Sequence, residues 1–136
     1  MGERAIPEQV VLTIENTPGA LAKVTGILAD AKLNLFGVTL GRHGDGGNLR
    51  FTVDDPKRAV EALRSGGYDA KALPFHSLRI ENAPGALGKV ATMLAERGIN
   101  IESIFLSANG ERDVELVVQV DDMAAARKAL GSQVRE

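Results

Sequence analysis

The chain repeats itself. Glu15-Asn16-Thr17-Pro18-Gly19-Ala20-Leu21 returns 66 residues later as Glu81-Asn82-Ala83-Pro84-Gly85-Ala86-Leu87. Lys23-Val24 matches Lys89-Val90, Leu28-Ala29 matches Leu94-Ala95, and Leu33-Asn34-Leu35 matches Ile99-Asn100-Ile101. Val53-Asp54-Asp55 returns as Val120-Asp121-Asp122 and Ala62-Leu63 as Ala129-Leu130, now 67 residues apart. One residue has therefore been added in between, and the turn after the second strand of the repeat is where such an addition is tolerated. A 136-residue chain built this way is two copies of one small unit. Units of that size rarely bury enough apolar surface to stand alone without disulfides or metals. There is no cysteine, so the copies are expected to share a sheet or an interface, and a homodimer is expected.

Within one copy, Val10, Leu12 and Ile14 alternate with Val11, Thr13 and Glu15, which reads as a strand over 8–15. Asn16 or Thr17 offers an N-cap and Pro18 stands near the first helical position. Leu21, Val24 and Leu28 recur at helical spacing, predicting an amphipathic helix over 18–31, and Leu87, Val90 and Leu94 repeat the stripe. Gly98 suits the left-handed end of a helix, where Lys32 is a poorer stop. A strand over 33–42, a glycine-rich turn at 44–48 and a strand through Leu49, Phe51 and Val53 follow. Asp55 and Pro56 start a second helix with Val60 and Leu63 inward, Gly66-Gly67 ends it, and a short strand near 69–73 leads into Leu78 and Ile80.

The order is βαββαβ, twice. This predicts an α+β fold of two ferredoxin-like units, 8–74 and 75–136, with antiparallel sheets and helices on one face. Only Gln133-Val134-Arg135-Glu136 follows the last helix, too little for a full final strand. That sheet edge is expected to be covered by another segment or by a partner chain. Val11, Ile104, Leu106 and Val117 are apolar strand residues that cannot all face the helices of their own unit, pointing to a buried sheet face or a subunit contact.

Many functions are excluded at this level. The net charge of -2 argues against a general nucleic-acid binder. Aromatic residues are 4% with no Trp, so an RNA-reading or base-stacking sheet is not expected. Without cysteine, and with His43 and His76 as the only histidines, neither a metal site nor thiolate catalysis is expected. No apolar run nears the roughly 18 residues of a membrane span, and no signal peptide opens the chain. The expectation is a cytoplasmic protein without membrane contact. No nucleophile–base pair or acid pair suggests catalysis, and no cofactor is implied. Gly41-Arg42-His43-Gly44-Asp45-Gly46-Gly47 lacks the Lys-Ser/Thr of a phosphate-binding loop and reads as a flexible hairpin with His43 solvated. His76 reads as structural or surface, the Asp54-Asp55 and Asp121-Asp122 pairs as helix caps, Met93 as core, and Lys23 and Lys89 as a solvated face.

The doubled βαββαβ pattern with Asn-x-Pro-Gly-Ala-Leu loops and a following Asn resembles a tandem ACT-domain protein over roughly 8–132. The loop is similar to that of the serine-sensing ACT domain of phosphoglycerate dehydrogenase, in which two asparagines contact the ligand. The resemblance implies a regulatory module that binds a free amino acid at domain or subunit interfaces. Carried over, the contacts are Asn16, Pro18, Gly19, Ala20, Leu21 and Asn34 in the first copy. In the second they are Asn82, Pro84, Gly85, Ala86, Leu87 and Asn100. Ile14 and Ile80 stand where that domain has a ligand-binding His. The chemistry suits the residues. A helix start attracts a carboxylate, Gly19 and Gly85 admit close backbone approach, and asparagine amides both accept from an ammonium and donate to a carboxylate. Each residue also has a local reading: Asn16 and Asn82 as helix caps, Asn34 and Asn100 as helix-to-strand punctuation. Two partner readings follow. The chain shifts between arrangements on binding an amino acid, or it regulates an amino-acid biosynthetic enzyme by contact, as the small ACT-containing chains of acetolactate synthase do.

Overall fold

The computed structural model describes residues 7–107, 112–131 and 134–135. The elements run β1 (Glu8–Glu15), α1 (Ala20–Asp30), β2 (Leu35–His43), β3 (Gly46–Val53), α2 (Pro56–Ser65) and β4 (Lys71–Pro74). They continue as β5 (His76–Glu81), α3 (Ala86–Ala95), β6 (Ile101–Ser107), β7 (Asp113–Val120), α4 (Met123–Leu130) and β8 (Val134–Arg135). The chain divides into two compact units, one of Glu8–Leu73 and one running from Pro74 onward with Pro7. The sheet orders are β2-β3-β1-β4 and β6-β7-β5-β8, and β3 and β7 are antiparallel to both their neighbours.

One face of each sheet is apolar because strand side chains alternate. In the first unit Val10, Leu12 and Ile14 of β1 and Leu49, Phe51 and Val53 of β3 bury against Val24 and Leu28 of α1 and Ala59, Val60 and Leu63 of α2. In the second, Leu78, Ile80, Val114, Leu116, Val118 and Val120 meet Val90, Leu94, Ala126 and Leu130. Met93 is half-buried against that core. On the opposite face, Val117 is buried and Val11 half-buried; Ile104 and Leu106 instead pair with Val118 and Leu116 and so share the core's face, exposed on edge strand β6.

Several local expectations need correction. Neither Asn16 nor Thr17 caps α1. The cap is Gly19, left-handed at φ 88°, and no side chain bonds the helix start. Gly85 does the same for α3 at φ 85°. A Cβ disfavours that conformation, so the sequence needs glycine here, and Pro18 lies before the helix rather than in its first turn. The helix therefore starts later than the motif suggests, and Leu21 faces outward at 37% exposure instead of joining Val24 and Leu28. Leu87 is displaced in the same way. Asp55 and Asp122 cap α2 and α4 as expected, accepting from the N–H groups of Arg58 and Ala125.

Lys32 does stop α1, in the left-handed conformation that Gly98 adopts in the second copy. The Leu33 N–H donates to the Leu28 carbonyl at 3.0 Å, and that of Ile99 to the Leu94 carbonyl at 3.0 Å. The glycine-rich turn is shorter than expected. Only Gly44 and Asp45 lie between β2 and β3, and the flanking residues pair as strand. The last strand exists after all: Val134 and Arg135 pair antiparallel with Leu78 and Ser77, so the chain's own end covers part of that edge. His76 opens β5, is buried, and lies 2.9 Å through Nε2 from the Met123 carbonyl.

Candidate functional site

The β1–α1 turn of the first unit does more than reverse the chain. The Ala20 N–H donates to the Thr17 carbonyl and the Lys23 N–H to the Gly19 carbonyl. Among the described residues, the intervening N–H groups of Leu21 and Ala22 meet no protein acceptor. Unpaired N–H groups at a helix start carry partial positive charge.

These groups border a concavity of about 190 Å³. One wall is the turn itself, with Glu15, Asn16, Thr17, Gly19, Ala20, Leu21 and Ala22. The other comes from the sheet: Ile14 of β1, Leu40, Gly41 and Arg42 of β2, and Gly47 of β3. Strand register explains the second wall. Gly47 pairs with Ile14 on one side and Arg42 on the other, so the three positions share one row and one face of the sheet. A Cβ at Gly47 would sit 3.0 Å from Leu40 Cδ1 and 3.4 Å from Ile14 Cγ1. The missing side chain is what leaves the space open. The lining combines apolar Ile14, Leu21 and Leu40 with the polar residues Arg42, Asn16 and Glu15, of which Glu15 follows Ile14 in β1 and so directs its side chain to the other face of the sheet. The Glu15 carboxylate accepts a long 3.5 Å hydrogen bond from the Thr17 hydroxyl.

The candidate residues distribute unevenly. Asn16, Gly19, Ala20 and Leu21 line the concavity, while Pro18 shapes the turn from outside it. Asn34 does not reach it within its own unit. β1 and β2 are both antiparallel to β3, so Asn16 follows the end of β1 whereas Asn34 precedes the start of β2, at the opposite end of the sheet. The eight residues of β1 separate them by about 25 Å. The Asn34 N–H instead donates to the Asp54 carboxylate at 3.2 Å, and the Asn100 N–H to the Asp121 carboxylate at 3.0 Å. A single ligand within one unit therefore does not touch both asparagines.

In the second unit Asn82, Pro84, Gly85, Ala86 and Leu87 build the same turn, and the Asn82 N–H donates to the Arg112 carbonyl at 2.7 Å. Gly85 borders a more open groove along α3 with Gly88, Lys89, Thr92, Met93 and Glu96. Lys23 lies with its Nζ 5.8 Å from the centre of the Tyr68 ring. Sequence reading missed Arg42, Leu40 and Gly47 because the run around them resembles a loop. The available signal was where the repeat breaks: with the 66- and 67-residue offsets, Arg42 and Gly47 correspond to Ala108 and Val114. Among the described residues no group of His, Asp and Glu could hold a metal ion, and no helix is long and apolar enough to cross a membrane.

The family model described as "ACT domain pair" matches residues 6–133. Among solved structures, protein BT0572 from Bacteroides thetaiotaomicron is similar at 29% identity, with a TM-score of 0.83, covering 95% of this chain and 90% of that one. The ligand-free regulatory subunit of aspartate kinase from Thermus thermophilus is similar at 26% identity and a TM-score of 0.68, covering 96% and 93%. The regulatory subunit of aspartate kinase from Thermus flavus shares the fold at 24% identity and a TM-score of 0.68, covering 93% and 92%. No curated protein matches the chain.

Proposed function

Because the chain belongs to the ACT domain family, as a pair of such domains, we propose that it is a non-catalytic regulatory protein. It binds a free amino acid in the concavity beside the Asn16–Leu21 turn. The observation that carries this reading is that a cation, unpaired helix-start N–H groups and an asparagine border one small space. Arg42 and the two unpaired N–H groups suit a carboxylate, while the Asn16 amide oxygen suits an ammonium a few ångströms away. The apolar Ile14, Leu21 and Leu40 suit the amino acid's side chain. Binding acts by shifting the protein between arrangements that differ in affinity for the ligand.

The test is a thermal-shift screen against the twenty amino acids. One or a few should raise the melting temperature of the wild-type protein and leave Asn16→Ala unmoved.

The likeness to a regulatory subunit of aspartate kinase favours a second element of the reading. The output goes to a cytoplasmic enzyme of amino-acid biosynthesis, reached by protein contact. Exposed Phe36, Val38 and Leu40 on edge strand β2 and Ile104 and Leu106 on β6 are apolar surface suited to subunit contact, and they support a homodimer. Light scattering on the purified chain should give twice the monomer mass.

A further inference from the structure

The two repeats keep the same turn but differ in what surrounds it. Asn16, Gly19 and Leu21 have their counterparts in Asn82, Gly85 and Leu87, and Glu15 in Glu81. The register shows which sheet positions correspond. Ile14 pairs with Gly47 in the first unit and Ile80 with Val114 in the second. Likewise Leu40 pairs with Leu49, and Leu106 with Leu116. At the position where the first unit has no side chain, the second therefore carries an isopropyl group. Val114 is 3% exposed and belongs to the core of its unit. In sequence the counterpart of Arg42 is Ala108, and the arginine beside the Asn82 turn is Arg112, whose carbonyl accepts from the Asn82 N–H.

Either change alone would weaken a site for a zwitterion. A Cβ at Gly47 already comes within 3.0 Å of Leu40 Cδ1, and a valine adds two methyl groups beyond it. Losing Arg42 removes the guanidinium that suits a carboxylate in two parallel hydrogen bonds. Arg42 and Gly47 pair in one row of the first sheet.

Building on the proposed amino-acid site, we infer that it exists in the first repeat alone, and that Gly47 and Arg42 are the residues that make it. The second repeat retains the Asn-x-Pro-Gly-x-Leu turn for its fold, because Gly85 must take φ 85° to start α3. The ligand is a zwitterionic α-amino acid, bound once per chain. Its carboxylate lies on Arg42 and its side chain lies in the space that Gly47 leaves.

Isothermal titration tests this with the amino acid giving the largest shift in a screen of all twenty. The expected stoichiometry is one per chain, with affinity at least tenfold weaker in Arg42→Ala and binding absent in Gly47→Val. Arg42 is exposed, so its truncation leaves the fold intact, as an unchanged circular dichroism spectrum would verify, and it decides the matter if Gly47→Val fails to fold. Two equivalents per chain, or unchanged affinity in Arg42→Ala, would overturn the assignment to the first repeat and leave the amino-acid reading standing. No binding by any of the twenty would overturn that reading and this inference with it.

Discussion

Asn34 and Asp54 hold each other through two hydrogen bonds. The Asn34 N–H donates to the Asp54 carboxylate at 3.2 Å, and the Asp54 N–H donates to the Asn34 carbonyl at 3.3 Å. Asn100 and Asp121 repeat the arrangement at 3.0 and 3.1 Å. The pair ties the entrance of β2 to the exit of β3, and the same tie joins β6 and β7. Recurrence of the aspartate in both repeats thus has a structural cause, while the asparagine takes part through its backbone alone.

Removing the carboxylate should loosen that tie. Asp54→Ala is expected to cost about 1 kcal/mol, the ordinary net value of one hydrogen bond. Asn34→Ala should cost less, since the bonds use its backbone. Urea denaturation of both variants checks the order.

Caps and non-caps should separate in the same experiment. Asp55→Ala and Asp122→Ala each remove a carboxylate that accepts from the first turn of a helix, and each should cost about 1 kcal/mol. Asn16→Ala should change the stability of the ligand-free protein by less than about 0.5 kcal/mol, because Gly19 is the cap of α1 and no side chain bonds it. A loss at Asn16 equal to that at Asp55 would restore the capping role that its sequence position suggests.

Lys32 sits at φ 59°, where a side chain costs roughly 1–2 kcal/mol. Lys32→Gly removes that strain but frees the unfolded chain by about 0.4–1 kcal/mol. The expected balance is a gain of about 0.5 kcal/mol, read as a higher urea midpoint with unchanged slope. The matching Gly98→Lys should destabilise.

The displaced leucine offers a further contrast. Leu28 is 1% exposed and Leu21 37%, although both fall on the periodic stripe. Leu28→Ala should cost about 2–5 kcal/mol through a core cavity. Leu21→Ala should cost under about 1 kcal/mol, and its effect should appear in ligand binding.

These contrasts mark what a single sequence discloses. The repeat, the βαββαβ order and the buried rows such as Val10-Leu12-Ile14 were legible because periodicity and turn residues are local signals. Asn16 misled for a local reason too. An asparagine before Pro-Gly has the propensity of a cap, and only the backbone angle at Gly19 moves the helix start three residues on. The two-residue β8 was not legible because pairing with β5, not intrinsic propensity, defines so short a strand. The concavity was half legible. Its turn stands in the motif, but Arg42, Leu40 and Gly47 come from β2 and β3, and their place beside Ile14 depends on register. The separation of Asn34 from Asn16 within one unit was hidden for the converse reason. Their spacing is the same in both repeats, yet that spacing spans the length of the sheet.

The measurement that bears most directly on the whole account is the thermal-shift screen with the twenty amino acids, run on wild-type protein and Asn16→Ala together. A ligand that binds only the folded state stabilises it by about 2.7 kcal/mol at a hundredfold excess over its Kd. The account expects a clear upward shift with one or a few amino acids in the wild type, and none in Asn16→Ala of equal ligand-free stability. An unmoved melting temperature with all twenty, on folded protein, would contradict it.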